Sequence, residues 1–357
     1  MSEVRTVTAA ASSTAGSRLA STRRRRMLAV VGLLVLLGFC CLLSVAVGAK
    51  SISPGAVWDA LVAPGGAEAD IVVQTLRLPR TVLGVLVGLA LGLAGALMQG
   101  HTRNPLAEPG ILGVNAGAAF AVVLAIYGLG VNTLLGYVWF AFAGALGASV
   151  VVFAVGSVSG PVAGRGGAAP VTLALAGTAM TFLLLGLTNA VVLLDQQTLE
   201  AYRFWSLGAL SGRDPAIIGQ VVWFIVAGTL LALANAPGLN ALGLGEDVAR
   251  ALGQSVWLAR VLGVTAVTLL AGAAVAACGP IIFLGLVVPH LARALTGPDH
   301  RWLLPCSALL GACILLVADV AGRVVAPPGE LAVGIVLAFV GAPFFIALVR
   351  RRRLTAL

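Results

Sequence analysis

The sequence predicts an all-α polytopic membrane protein with about ten transmembrane helices, and both composition and patterning support this. Of its 357 residues, 60% are hydrophobic and 10% are charged, and the mean hydropathy is +1.06. Soluble domains carry about 25% charged residues, so no soluble core could bury this much apolar surface. Apolar runs of about 20 residues, the length with which a helix crosses a bilayer, recur along the chain.

Ten apolar runs are the predicted spans. In chain order they cover residues 27–49, 82–100, 110–127, 136–156, 171–194, 216–235, 259–278, 281–295, 303–319 and 331–349. The first run exceeds the apolar part of a signal peptide, about 7 to 15 residues, so we expect it to be retained. Only Gly279 and Pro280 separate the seventh run from the short eighth, and periodicity alone would also allow a re-entrant segment there.

The basic residues predict the orientation in the membrane. If the N-terminus is cytoplasmic, 16 of the 22 Lys and Arg residues lie on the inner side. Short cytoplasmic loops of membrane proteins carry such an excess. We therefore predict a cytoplasmic basic tail over residues 1–26, a transmembrane domain over 27–349 and a second cytoplasmic basic tail over 350–357. The pI near 10.3 could suggest nucleic-acid binding, but the arginines lie in short clusters between apolar runs, as in a membrane protein whose basic loops set its orientation.

The second predicted span has a small residue at every fourth position. Gly84, Gly88 and Gly92 are followed by Ala96 and Gly100. In lipid, apolar side chains gain little by associating, and small residues let two helix backbones approach closely. We therefore expect these glycines at helix contacts inside the bundle.

The chain shows no catalytic or metal-binding pattern. Its five cysteines lie in apolar runs and its three histidines are dispersed, so neither set has metal-ligand spacing. The only lysine, Lys50, lacks the glycine-rich loop that cradles nucleotide phosphates. Ionisable residues are nearly absent from the centres of the spans, where ion-coupled transporters usually place them. This favours a transport subunit without enzyme activity or cofactors, energised by another protein; the alternative is a self-contained secondary transporter or channel.

The inner loop between the sixth and seventh spans, residues 236–258, contains a predicted short amphipathic helix. Glu246 and Asp247 suit its first turn, where the helix dipole favours acidic residues. An apolar face and a left-handed glycine cap follow, formed by Val248, Ala251, Leu252 and Gly253. The pattern fits equally a helix lying on the protein or bilayer surface and one that docks on a partner.

Three segments resemble the FecCD-type permeases, the membrane subunits of ABC importers for iron chelates, haem and cobalamin. The first is NPLAEPG followed by ILGVNAGA, residues 104–118. The second begins with GPIIFLGLVVPHLARAL at residues 279–295, and the third is PGELAVGIVLAFVGAPFFIALVRRRR at residues 328–353. With the intervening similarity, the resemblance covers nearly all of residues 52–353 in family order.

The resemblance implies the architecture and partners of such a permease. These are ten helices in each subunit, a second permease subunit that is identical or homologous, and a path along the interface between the two. Two ATP-hydrolysing subunits bind ATP and magnesium, and an extracytoplasmic protein delivers the substrate. The implied function is import of a metal chelate across the bacterial cytoplasmic membrane by ATP-driven alternating access. A ferric siderophore is expected, with cobalamin or haem as the alternatives.

The resemblance also implies residue roles. The loop LGEDVARALG is similar to the coupling helix that the ATPase subunit receives, which involves Gly245, Glu246, Asp247, Val248, Ala249, Arg250, Leu252 and Gly253. The motif RLPR implies that Arg77 and Arg80, with Arg323, dock the substrate-binding protein. Arg77 and Arg80 lie at the expected N-terminus of the second span, where the helix dipole disfavours cations, so their placement there suggests a function. The alternative to docking is that they anchor the helix to lipid phosphates.

The loop PVAGRGGAAP, residues 161–170, lies between the fourth and fifth spans on the predicted inner side. Glycine and proline make it adaptable rather than chemically specific. The resemblance places the inner gate here, at Gly167, Ala168, Ala169 and Pro170. Some members of the family have hydroxyl side chains in this region, whereas these four residues are apolar or lack a side chain.

Overall fold

The computed structural model describes residues 2–48, 52–131, 133–158, 170–326 and 329–350, which form helices and no β-strand. The helices of the first half are α1 (Ser2–Ala46), α2 (Pro54–Val62), α3 (Glu68–Ile71), α4 (Leu78–Thr102), α5 (Val114–Leu129), α6 (Leu134–Val158) and α7 (Pro170–Val192). Those of the second half are α8 (Gln196–Ser206), α9 (Ala216–Ala234), α10 (Ala236–Gly243), α11 (Glu246–Ala251), α12 (Val256–Cys278), α13 (Leu284–Thr296), α14 (His300–Val325) and α15 (Val333–Arg350).

Ten of these helices correspond to the ten predicted spans. Among the described residues, seven helices are long and apolar enough to cross a membrane, and three apolar helices are shorter, namely Val114–Leu129, Leu284–Thr296 and Val333–Leu348. The eighth predicted span is α13, whose 13 residues make it about 20 Å long. The hydrocarbon core of a bilayer is about 30 Å thick, so α13 covers only part of it.

Helix α4 lies at the centre of the bundle and packs against α12, α13 and α14. Its glycine stripe faces α14. A Cβ atom placed on Gly88 would lie 2.6 Å from the Cα atom of Ala312, and one on Gly92 would overlap the backbone oxygen of Ser307. Gly84 faces the side chain of Leu316. The close approach of two backbones explains why the stripe consists of glycine.

Helices α1 and α7 lie at the periphery. Leu28 and Val35 of α1 are 61% and 69% exposed, and Leu175 and Phe182 of α7 are 67% and 69% exposed. Apolar side chains this exposed need lipid or a second subunit around them.

The bundle also holds short helices that the apolar pattern did not predict. The carboxylate of Asp195 accepts a hydrogen bond from the Thr198 backbone N–H at 2.7 Å and starts α8. Helix α3 and a π-helical turn, Val72–Arg77, run directly into α4, so the helical stretch begins at Glu68. Arg77 and Arg80 therefore lie inside a continuous helix. The expectation that they sit at its unfavourable N-terminal dipole is wrong, because Glu68 occupies the first turn.

Candidate functional site

An arginine network joins the start of α4 to the C-terminal ends of α1 and α14. Arg80 forms a two-pronged ion pair with Asp319, with Nε–Oδ2 and Nη2–Oδ1 distances of 3.0 and 2.8 Å. Its remaining nitrogen, Nη1, lies 2.7 Å from Oε2 of Glu330. Arg323 contacts the same Asp319, which is 1% exposed. Two guanidinium groups thus compensate one buried carboxylate, as buried charge requires.

The network also closes the end of α1. Arg323 Nη1 donates to the backbone oxygens of Ser44 and Val47 at 2.7 and 2.9 Å. Arg77 Nη1 donates to the oxygens of Val45 and Ala46 at 2.9 and 2.7 Å. The last carbonyls of a helix have no partner within the helix, and cations there are also favoured by the helix dipole.

The burial of these arginines bears on the docking prediction. Arg77 is 5% exposed and Arg323 is 3% exposed, while the side chain of Arg80 is 14% exposed. The structure therefore brings the three residues together at one face, but mainly as internal partners of α1 and Asp319. Their contact with a binding protein stays a prediction.

Two neighbouring cavities of about 450 and 500 Å³ lie beside the network, and Arg213 and Glu330 line both. Arg213 Nε donates to the oxygen of Ala209 at 2.9 Å, and Nη2 donates to the oxygen of Cys278 at 3.0 Å. Arg213 thus secures the loop before α9 against the end of α12. The cavities have polar edges, and the guanidinium groups of Arg80, Arg213 and Arg323 around them bond to other groups of the protein.

The predicted amphipathic helix is present as α11. Val248 is 45% exposed and Leu252 is 61% exposed, whereas Ala249 is fully buried. Ala251 is exposed as well. The helix therefore presents its apolar face outward and rests on Ala249.

Glu246 ties α11 to the membrane helices. Its carboxylate pairs with Arg260 of α12, with Arg250 at 3.1 Å and with Arg103 at 3.9 Å. Asp247 pairs only with Arg250 in the described part of the chain, at 2.9 Å, and is fully exposed. Glu246 thus anchors α11 to the membrane helices. Its position in the first turn of α11 did not predict this role.

Gly253 ends α11 with φ +76°, in the left-handed region. The N–H groups of Gly253 and Gln254 donate to the oxygens of Arg250 and Ala249 at 2.9 and 3.0 Å. Gly245 precedes the helix with φ +106°. A side chain is strained at either glycine, so the direction of the chain on both sides of α11 depends on them.

The Pro-rich turn after α4 is built on backbone and side-chain hydrogen bonds. Helix α4 ends at Thr102, and Arg103 caps it with φ +48°. Asn104 Oδ1 then accepts from the Leu106 N–H at 3.0 Å, as an Asx turn does. In the same turn, burial raises the pKa of Glu108, while a hydrogen bond from the Phe283 backbone opposes that shift.

Of the predicted gate residues, Gly167, Ala168 and Ala169 lie outside the described residues. Pro170 is described only as the first residue of α7. Within the described residues, no group of three His, Cys, Asp or Glu side chains could hold a metal ion.

Sequence reasoning missed the acidic and amide partners that organise both faces. Asp319 and Glu330 lie 239 and 250 positions from Arg80. Asn240 of α10 donates to Asp299 at 2.8 Å and accepts from the His300 N–H at 2.8 Å. Pairings at such separations leave no local pattern in a sequence.

Comparison with known proteins matches residues 34–351 to the FecCD transport family. The chain is 46% identical over 325 residues to the ferric enterobactin transport system permease protein FepD of Escherichia coli (strain K12), covering 91% of this chain and 96% of FepD. It is 41% identical over 331 residues to the iron(3+)-hydroxamate import system permease protein FhuB of Bacillus subtilis (strain 168), covering 91% and 84%. A solved metal-chelate-type ABC transporter in an inward-facing conformation matches with a TM-score of 0.78 at 28% identity, covering 91% of this chain and 99% of the solved chain.

Proposed function

The chain belongs to the FecCD transport family, and we propose that it is the permease subunit that carries a ferric siderophore across the bacterial cytoplasmic membrane. The observation that carries this proposal is the similarity over about nine tenths of the chain to two permeases named for iron(III) chelates. Within this family, the alternative substrate is cobalamin or haem, since similar permeases are named for those substrates.

The energy for transport would come from two partner ATPase subunits. The sequence has no phosphate-binding loop and nearly no ionisable residues at the centres of its spans. In the proposed assembly, ATP binding and hydrolysis move two permease subunits between outward-open and inward-open states. Both termini and α11 then lie in the cytoplasm.

Helix α11 is suited to receive those subunits. Its exposed residues Val248, Ala251 and Leu252 offer an apolar contact surface, while the ion pair of Glu246 with Arg260 connects that surface to α12. A partner that displaces α11 would therefore move α12 with it. This rigid connection supports transmission of force better than a loosely attached helix would.

A substrate-binding protein would dock over the outer arginine network. Arg80 is the residue best placed for direct contact, because its side chain and that of Glu330 remain partly exposed. Arg77 and Arg323 would act indirectly, by holding the end of α1 in position beneath the docking surface.

Uptake measurements test the proposal. A strain that lacks this gene should lose uptake of iron-59-labelled ferric siderophore and keep uptake of cobalt-57-labelled cobalamin, and the wild-type gene should restore the loss. Loss of cobalamin uptake with ferric siderophore uptake intact would overturn the substrate assignment. In proteoliposomes, uptake should require the ATPase subunits and ATP. Uptake driven by an ion gradient in the chain alone would instead indicate a secondary transporter.

A further inference from the structure

A small basic cavity lies between the middle of α1 and the C-terminal end of α13. Its volume is about 220 Å³, and its lining includes Arg25, Arg26 and Arg293 together with Leu295 and Thr296. No described acidic residue lines it. A single water needs about 10 to 15 Å³ on this measure of volume, so the cavity can admit a phosphate group.

The positive charge of this cavity is only partly compensated. Arg26 donates to the Thr296 oxygen at 2.8 Å and lies 3.4 Å from Asp299. Arg293 donates to Gln99 at 3.3 Å, and its Nε atom is buried without a hydrogen-bond partner. Arg25 is exposed and has no polar partner among the side chains that the structure describes. A buried donor without a partner is unfavourable, and an anion in the cavity would supply one.

The surroundings indicate that this anion has an apolar part. Beyond the arginines, α1 continues with exposed Leu28, Val31 and Val35, at 61%, 56% and 69%. Leu295, in the cavity lining, is 41% exposed. The cavity thus lies where the basic segment of α1 meets its exposed apolar surface, at the level expected for lipid headgroups. Basic pockets between membrane helices on the cytoplasmic side are suited to anionic headgroups.

We propose that Arg25, Arg26 and Arg293 bind the phosphate of an anionic phospholipid of the inner leaflet, whose acyl chains lie along the exposed face of α1. The inference rests on the orientation proposed above. Bound lipid would hold the first helix against α13, close to the Asp299–Asn240 contact that leads to the coupling loop.

Native mass spectrometry of the full-length protein, titrated with phosphatidylglycerol or phosphatidylcholine, tests this site. The double variant Arg25→Gln/Arg293→Gln should bind phosphatidylglycerol about 30-fold more weakly, since each arginine near a membrane surface contributes roughly a fivefold change in affinity. The matched control, Arg24→Gln/Arg301→Gln, removes the same charge from exposed positions outside the cavity and should bind as the wild type does.

Equal weakening in both double variants would overturn the proposal, because it would indicate a diffuse basic surface. Displacement of the bound lipid by equimolar inorganic phosphate would also overturn it. So would a result in which Arg25→Gln/Arg293→Gln binds phosphatidylglycerol as the wild type does but no longer associates with the ATPase subunits. If the double variant does not fold, the single Arg25→Gln variant should still show about a fivefold loss, because Arg25 is exposed. None of these outcomes changes the uptake test, so the two proposals fail separately.

Discussion

A methyl group added at Gly88 should force α4 and α14 apart. The Cβ atom of an alanine there would lie 2.6 Å from both the Cα of Ala312 and the oxygen of Gly311, whereas ordinary contacts begin at 3.4 Å. Both neighbours are backbone atoms, so no rotamer change relieves the overlap and the helices must separate by roughly 0.8 Å. Overpacking of this kind costs about 1 to 3 kcal/mol.

The matched control is Gly38→Ala on α1, where no atom lies within 4 Å of the added Cβ. Both substitutions replace a helical glycine by alanine and gain the same helix propensity, up to about 1 kcal/mol, so their difference isolates the packing cost. In thermal unfolding of the purified protein in one detergent, Gly88→Ala should have the lower midpoint. A midpoint equal to or above that of Gly38→Ala would refute the close packing of α4 on α14.

Two further predictions concern the partner surfaces. Gly253→Val should weaken association with the ATPase subunits and lower uptake while membrane insertion persists, because valine is strained at φ +76°; co-purification and uptake measure this, and full association with normal uptake would contradict the role of α11. Arg80→Gln should weaken binding-protein association at low salt by up to about fivefold, the size of one exposed ion pair, and have little effect at high salt. Unchanged affinity at low salt would exclude direct docking by Arg80, and the buried Asp319 keeps Arg323 as a partner in this variant.

Features that depend on only one segment of the chain, such as helices and their caps, could be predicted from the sequence. The order of the long apolar helices follows from runs of about 20 apolar residues, since every such run needs a nonpolar environment. The pattern did not settle the eighth run, which forms the 13-residue α13. The left-handed cap at Gly253 follows from a glycine placed just after an amphipathic turn. The glycine stripe of α4 follows from its four-residue spacing, although the spacing does not say which helix it meets.

The partners of these elements were decided by the tertiary structure. Arg80 meets Asp319 and Glu330, and Glu246 meets Arg260, across sequence separations that no periodic pattern records. Burial also added roles that the docking prediction did not include: the guanidinium groups of Arg77 and Arg323 are directed at the end of α1. The sequence by itself determined that this chain is a bundle of membrane helices, because hydrophobicity and backbone hydrogen bonding act within each segment. Only the tertiary structure decided which charges stay exposed and which hold the bundle together, because burial depends on how all the segments pack.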